Sequence, residues 1–123
     1  MTEFLNSELE LKLYLYPFLE TVMFIHDALK QAHLAISPEH IYIALDGKWK
    51  LAGFGINQQL TGEDQQKVEE KLGDYAFAAP ELALTGTFSK KSDIFSIGIL
   101  IIKMMEFIHK EQKTLSIPDR SQY

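Results

Sequence analysis

The chain has four histidines, His26, His33, His40 and His109, and these are its side chains best suited to bind a metal ion. His26 and His33 are seven residues apart. That is about two turns of a helix, too far for both to bind one ion along a single helix. His40 follows Pro38, and no cysteine is present to complete a zinc site. The pattern therefore favours structural roles for the histidines over a metal site.

Four short motifs follow one another along the chain: residues 33–41 (HLAISPEHI), 53–55 (GFG), 79–81 (APE) and 92–98 (SDIFSIG). Their order and spacing resemble the catalytic loop, metal-binding loop, A-P-E motif and central-helix start of a protein kinase. The resemblance covers about Leu9 to Phe107. It assigns structural motif positions to His33, Pro38, Glu39, Phe54, Gly55, Pro80, Glu81, Asp93 and Gly98.

Three positions depart from the kinase pattern in side chains that carry its chemistry. A kinase uses an Asp to accept the substrate hydroxyl proton, and an Asn and a second Asp to hold magnesium. The matching residues here are Ala35, His40 and Gly53. Ala and Gly supply no acceptor, and magnesium prefers oxygen ligands to an imidazole. The resemblance therefore predicts no catalytic residue, no binding of ATP or magnesium, and no enzyme activity.

One group of kinase-like proteins matches more closely. The run 36–41 (ISPEHI), the Asp46-Gly47 turn and the segment 49–54 (WKLAGF) resemble the SCY-like pseudokinases. This resemblance implies a catalytically silent scaffold or adaptor in vesicle traffic between Golgi and endosomes. It also implies a cytoplasmic protein with peripheral association to those membranes. His40 departs from the family, which often keeps Asn at this position.

Two other functions remain open. The first is a degenerate but active ATP-dependent serine/threonine kinase in which Glu39 and Asp46 supply the missing carboxylates. The matching Glu in kinases makes structural contacts, so a catalytic role for Glu39 is the less favoured interpretation. The second is a truncated kinase-domain product without a function of its own. Trp49 and Phe54 could stack on a nucleotide, but packing is the more usual role of such aromatic residues.

The periodicity of the sequence predicts the elements that position these motifs. Apolar residues at steps of three and four, together with the resemblance, predict a long helix over 9–32. Two β-prone runs joined by Asp46-Gly47 predict a hairpin with positive φ at both turn residues, within a degenerate loop region 33–55. An activation-like segment follows over 56–81, with a short helix over 63–72. A buried central helix over 92–108 begins with Ser92 as its N-cap.

These elements predict one partial protein kinase-like domain over 1–123. Its class is mainly α with a small β-hairpin (α+β), an incomplete C-terminal lobe of a kinase. By resemblance, Asp93 accepts hydrogen bonds from the backbone of the catalytic loop. No Gly-rich loop and no V-A-I-K strand is present, so a nucleotide would have only half a cleft. The apolar central helix then requires cover from a protein partner or from the remainder of a kinase-like domain.

Charge and hydropathy exclude two classes of partner. The net charge is −5, and Arg120 is the only arginine, so no basic surface for nucleic acid is expected. The longest apolar run, Ile94–Ile102, is far shorter than the ~20 residues of a membrane span.

The kinase counterpart of Glu81 pairs with an Arg of a later helix, and Glu81 must instead find water, Arg120 or a partner.

Overall fold

The computed structural model describes residues 8–62, 66–68 and 76–115. Three α-helices are present in these ranges: α1 Glu8–Asp27, α2 Pro80–Thr85 and α3 Lys90–Leu115. Six short strands pair in three antiparallel ladders: β1 Gln31–Ala32 with β4 Gln58–Gln59, β2 Ile41–Ile43 with β3 Trp49–Leu51, and β5 Gln66–Lys67 with β6 Thr87–Phe88. The predicted class, helical with a small hairpin, is confirmed.

Helix α1 ends earlier than the predicted boundary at residue 32. The backbone N–H groups of Ala28 and Leu29 both donate to the carbonyl of Phe24, and Lys30 has a φ of 56°. A left-handed residue at this point ends the helix, because the chain turns away from the helical path. Residues 31–32 then form β1. Pro17 lies inside α1.

The predicted hairpin is present, but its turn is longer than two residues. Ile41 pairs with Leu51 and Ile43 with Trp49. Gly47 donates to the carbonyl of Ala44, and among these turn residues only Gly47 has positive φ, at 87°. The expectation of positive φ at Asp46 as well is therefore wrong. The Asp46 carboxylate instead accepts the N–H of Lys48 at 3.0 Å.

Helix α3 begins two residues before the predicted start, because its cap lies at Ser89. The Ser89 hydroxyl accepts the N–H of Lys91, and the Ser92 hydroxyl accepts the N–H of Ser89. This reciprocal arrangement satisfies N–H groups that have no partner within the helix. Ser92 therefore completes the cap from inside the helix.

The main core lies between one face of α1, one face of α3 and the hairpin. Phe18 of α1 meets Trp49 of β3 edge to face, with ring centroids 5.7 Å apart, which makes packing the role of Trp49. The buried residues of this cluster are Leu11, Phe18, Val22, Ile36, Ile41, Trp49, Ile97, Leu100, Met104 and Ile108. A smaller cluster joins Ala32, Leu34, Leu82 and Phe88.

Two further predictions concern these elements. Gln66–Lys67, inside the short helix predicted over 63–72, form β5, and the other residues of that helix except Val68 lie outside the described ranges. The central helix was expected to be buried all round, but Ile94, Phe95 and Ile102 are exposed. Within the described residues, no helix is long and apolar enough to cross a membrane.

Candidate functional site

Asp93 holds the loop that follows β1. Its Oδ2 accepts the backbone N–H of His33 at 2.7 Å, and its Oδ1 accepts that of Leu34 at 2.8 Å. His26 of α1 donates from Nε2 to the same Oδ2 at 2.7 Å. All these groups are buried, so the carboxylate is compensated by three hydrogen bonds. Leu34 has a φ of 67°, a costly conformation for a side chain of its type, and these bonds help to hold it there.

His33 links this loop to the strand end that leads to Gly53. Its Nε2 donates to the carbonyl of Ala52 at 2.6 Å, and its Nδ1 accepts the N–H of Ala35 at 3.0 Å. The ring of Phe54 lies edge to face on the imidazole, with centroids 4.7 Å apart. Burial lowers the pKa of His33 below its ordinary value of 6.5. The hydrogen bond to Ala52 and the charge of Asp93 oppose this shift. The two hydrogen bonds identify a neutral imidazole with its proton on Nε2.

Ala35, His40 and Gly53 lie together. The Nδ1 of His40 is 2.6 Å from the carbonyl oxygen of Ala35, so this nitrogen donates the hydrogen bond. A Cβ placed on Gly53 would lie 2.5 Å from Cγ of His40 and 2.6 Å from its Cδ2. The imidazole therefore occupies the space into which a side chain at position 53 would project. Gly53 also has a φ of 77°, which favours glycine.

These residues line one crevice with a volume of about 280 Å³. One wall is the loop 34–37 with His40, and the other walls come from residues 53–56 and 77–78 and from Ser96 of α3. Gly55 lies in the lining. The lining residues are Leu34, Ala35, Ile36, Ser37, His40, Gly53, Gly55, Ile56, Phe77, Ala78 and Ser96. Among them is no Asp, Glu, Lys or Arg.

The remaining predicted residues surround the crevice or lie apart from it. Pro38 and Glu39 form a single 3₁₀ turn with His40, and Glu39 is exposed. Asp46 is exposed in the hairpin turn. Neither carboxylate is in the lining of the crevice. The geometry thus gives no support to Glu39 and Asp46 as replacements for the missing carboxylates.

Pro80 and Glu81 open α2, outside the crevice. The carboxylate of Glu81 accepts a hydrogen bond from the Ser92 hydroxyl at 3.2 Å, so a described side chain partly satisfies it. Arg120, another expected partner of Glu81, lies outside the described residues. Gly98 lies half-buried in α3 with open space beside its Cα.

Sequence reasoning missed three contributions to the site. His26 was expected to have a structural role, but its hydrogen bond to Asp93 was not predicted, although its spacing from Val22 and Ile25 along α1 placed it near the buried face. Phe77 and Ser96 line the crevice, and Ser96 donates to the carbonyl of Phe77 at 2.6 Å. No local sequence pattern marks these two residues. They reach the crevice only through the tertiary fold, in which Ser96 of α3 and Phe77 lie beside the loop 34–37.

Magnesium does not fit the three crevice positions. Ala35 and Gly53 offer no side-chain oxygen, and the Nδ1 of His40 is engaged with a carbonyl. Magnesium is held by oxygen ligands, usually carboxylates, water and phosphate. Across the part of the chain that the structure describes, no group of three His, Cys, Asp or Glu residues could hold a metal ion.

Relatives of this chain are named as protein kinases. The mitosis inhibitor protein kinase SWE1 of Saccharomyces cerevisiae is 38% identical over 81 residues, 66% of this chain and 10% of the relative. Serine/threonine-protein kinase 4 homolog B of Dictyostelium discoideum is 35% identical over 103 residues, 84% of this chain and 9% of the relative. Serine/threonine-protein kinase pakC of the same organism is 33% identical over 100 residues, 81% of this chain and 20% of the relative. The chain spans about a tenth to a fifth of these relatives.

These relationships correct two predictions. The prediction that the chain is not an enzyme is contradicted, because its relatives are named as protein kinases. The prediction of no cofactor is wrong for the same reason, since protein kinases normally use ATP and Mg²⁺. ATP and Mg²⁺ are the cofactors that kinship implies, although the three crevice positions offer the metal no ligand.

The match to a known family extends over nearly the whole chain. The family described as protein kinase domain matches residues 2–117. This range includes α1, the hairpin, the crevice loops and α3. The chain belongs to the protein kinase domain family.

Proposed function

We propose that this chain is a protein-binding scaffold built on the large lobe of a protein kinase domain. The observation that carries the proposal is the exposed apolar face of α3. Ile94, Phe95 and Ile102 are 52%, 40% and 53% exposed. The residues of the same helix that are buried in the main core are Ile97, Leu100, Met104 and Ile108. Exposed apolar patches mark interaction sites, and these three large apolar side chains are all exposed on one helix.

Helix α1 adds a second apolar surface. Five large apolar side chains are exposed along it at helical spacing: Leu9, Leu13, Tyr16, Met23 and Phe24. Spacings of three, four and seven residues place most of them on one stripe of the helix. Two long helices with apolar outer faces suit a partner that contacts both with apolar side chains of its own.

The cellular setting of the scaffold follows from the resemblance to SCY-like pseudokinases. It is vesicle traffic between Golgi and endosomes, with peripheral association to those membranes. The support for this part is the similarity of the segments 36–41 and 49–54. Kinship to protein kinases in general supports the fold and adds nothing specific to this setting.

Phosphoryl transfer to serine or threonine is the second candidate function. The names of the relatives favour it. The crevice does not, because its described lining contains no carboxylate. Transfer of labelled γ-phosphate from ATP by the purified chain tests this candidate. A loss of transfer in the Glu39→Gln or Asp46→Asn variant would assign the activity to one of those carboxylates.

A position-specific crosslink tests the scaffold. A photo-reactive amino acid at Ile102 is compared with the same amino acid at Lys48, which is exposed in the hairpin. We expect a discrete crosslinked partner from position 102 and none from position 48. The partner is then purified, and its affinity is measured for the wild type and two variants.

The variants separate apolar contact from charge. Ile102→Glu should weaken binding by about tenfold or more, because a charge would be buried in an apolar contact. The matched control is Lys103→Glu, a change at the adjacent exposed position. Equal loss in both variants, or no crosslink that depends on position 102, would contradict the proposal.

A further inference from the structure

The crevice beside His40 has the size and lining of a small-molecule site. Its volume is about 280 Å³. An apolar protein cavity of about 150 Å³ is large enough to take up benzene. The crevice thus has room for a compound with two fused rings.

The lining determines the charge of a suitable ligand. Leu34, Ile36, Ile56 and Phe77 are the large apolar residues of the lining. The described lining contains no charged residue, so an ionic ligand would lose water without gaining a counter-charge. A neutral compound has no such cost.

His40 supplies the polar contact. Its Nδ1 donates to the carbonyl of Ala35 at 2.6 Å, so in the neutral imidazole Nε2 carries the free lone pair. The described residues provide no hydrogen-bond donor to Nε2. Ser96, the polar residue from α3, already donates to the carbonyl of Phe77. The imidazole of His40 therefore offers an unused acceptor to a ligand with an N–H or O–H group, and the Ser37 hydroxyl, 3.4 Å from His40 Nδ1, is the polar side chain beside it.

We propose that the crevice binds a small neutral aromatic compound with one hydrogen-bond donor, and that His40 Nε2 accepts from that donor. This inference is independent of the scaffold, since it concerns the crevice and not the outer faces of α1 and α3. The crevice could fail to bind a ligand while α3 still binds its partner, and the reverse holds equally.

Titration of the ¹⁵N-labelled chain with indole tests the proposal. Indole is neutral and carries one N–H donor. We expect saturable shifts of backbone amides in the crevice lining, at Ala35, Gly55 and Phe77. Shifts confined to α1 or to the exposed face of α3, or no shifts in a chain with dispersed amide signals, would overturn the proposal.

Two related compounds test the chemistry. 1-Methylindole lacks the donor and should bind about fivefold more weakly, as expected for one lost hydrogen bond. In His40→Phe the two compounds should bind equally, because the acceptor is gone. Indole-3-carboxylate carries a charge and should bind more weakly than indole. Equal affinity of indole and 1-methylindole for the wild type, or tighter binding of the carboxylate, would overturn the assignment.

Two variants test the location. Ala35→Leu places extra side-chain volume in the crevice and should abolish the shifts. Ala28→Leu makes the same change at an exposed residue beyond the end of α1 and should leave them intact. Both variants are first checked for dispersed amide signals. Persistent binding by a folded Ala35→Leu variant would place the ligand elsewhere.

Discussion

The imidazole of His40 lies where a side chain on Gly53 would have to project. The distance from Cγ of His40 to a Cβ built on Gly53 is 2.5 Å, less than carbon atoms tolerate. The atoms that would clash are Cγ, Cδ2 and Nδ1 of the ring, and not the end of a flexible side chain that could move away. The two residues are thus coupled: a larger residue at 53 requires a smaller one at 40 or a shift of the loop.

Gly53→Ala should destabilise the chain more than Gly62→Ala. Both glycines have positive φ, at 77° and 91°, so both substitutions carry the same backbone strain of about 1–2 kcal/mol. A Cβ at Gly62 meets open space. The clash at Gly53 should add about 1–3 kcal/mol to the loss. Urea unfolding of the two variants measures the difference.

The double variant His40→Ala/Gly53→Ala checks the cause. Removal of the ring should recover part of the loss, giving a favourable coupling energy of about 1 kcal/mol. Equal destabilisation of Gly53→Ala and Gly62→Ala, or strictly additive effects in the double variant, would show that the two residues are not coupled.

Asp93→Asn should loosen the loop that follows β1. The side-chain amide of this variant would carry an NH₂ donor where the Asp93 carboxylate accepts hydrogen bonds. This donor would face the N–H of His33, the N–H of Leu34 or the Nε2–H of His26. Disruption of a buried, paired charge costs about 3–5 kcal/mol. Hydrogen exchange of the Leu34 amide should accelerate by at least about tenfold.

The control is Asp27→Asn. This carboxylate is exposed, and Lys90 lowers its pKa through a hydrogen bond at 3.1 Å. An exposed pair contributes little because water screens it, so the exchange of Leu34 should stay as in the wild type. Similar acceleration in both variants would remove Asp93 as the anchor of the loop.

Much of this fold was predictable from local sequence patterns. Apolar periodicity together with the kinase resemblance predicted α1, the nearly continuous apolar run after Ser92 predicted α3, and the β-prone runs on either side of Asp46-Gly47 predicted the hairpin. The end of α1 at Asp27 was not predictable, because the apolar stripe continues to Ala32 and tertiary contacts override it. The contact of His40 with Gly53 was also hidden. The sequence identified His40 and Gly53 only as two separate departures from the kinase pattern. The packing of the loop on the end of β3 shows that the ring of His40 fills the space of a side chain at position 53.

His33 should make stability depend on pH. Burial lowers its pKa in the folded chain, so between that value and the ordinary value of 6.5 the unfolded chain binds the proton more readily. Stability contributed by His33 is complete above pH 6.5 and falls as the pH drops below it. Urea unfolding at pH 7.5 and pH 5.5 should show this loss, and His33→Gln should lose less between the two values.

The control variant is His109→Gln, which makes the same substitution at a histidine exposed on α3. Its pH dependence should match that of the wild type. A wild type that gains stability on acidification over this range would contradict the depressed pKa of His33.

Ser92→Ala should destabilise α3 at its first turn. The Ser92 hydroxyl accepts the N–H of Ser89 and donates to Glu81. Loss of a capping hydroxyl costs about 0.5–2 kcal/mol. Thr21→Ala removes an exposed hydroxyl that only bonds the carbonyl of Pro17 within α1, and should cost about 0.5 kcal/mol or less. Thermal unfolding compares the two, and an equal loss would argue against the cap.

The account of the crevice requires that the His40 ring lies against Gly53 and that its N–H is on Nδ1. NMR of the ¹⁵N-labelled chain observes both the ring position and the tautomer. We predict nuclear Overhauser contacts between the His40 ring protons and the α-protons of Gly53, and we predict that the N–H of the neutral imidazole is on Nδ1 and not on Nε2. A His40 ring without contact to Gly53, or with its proton on Nε2, would contradict the crevice described above.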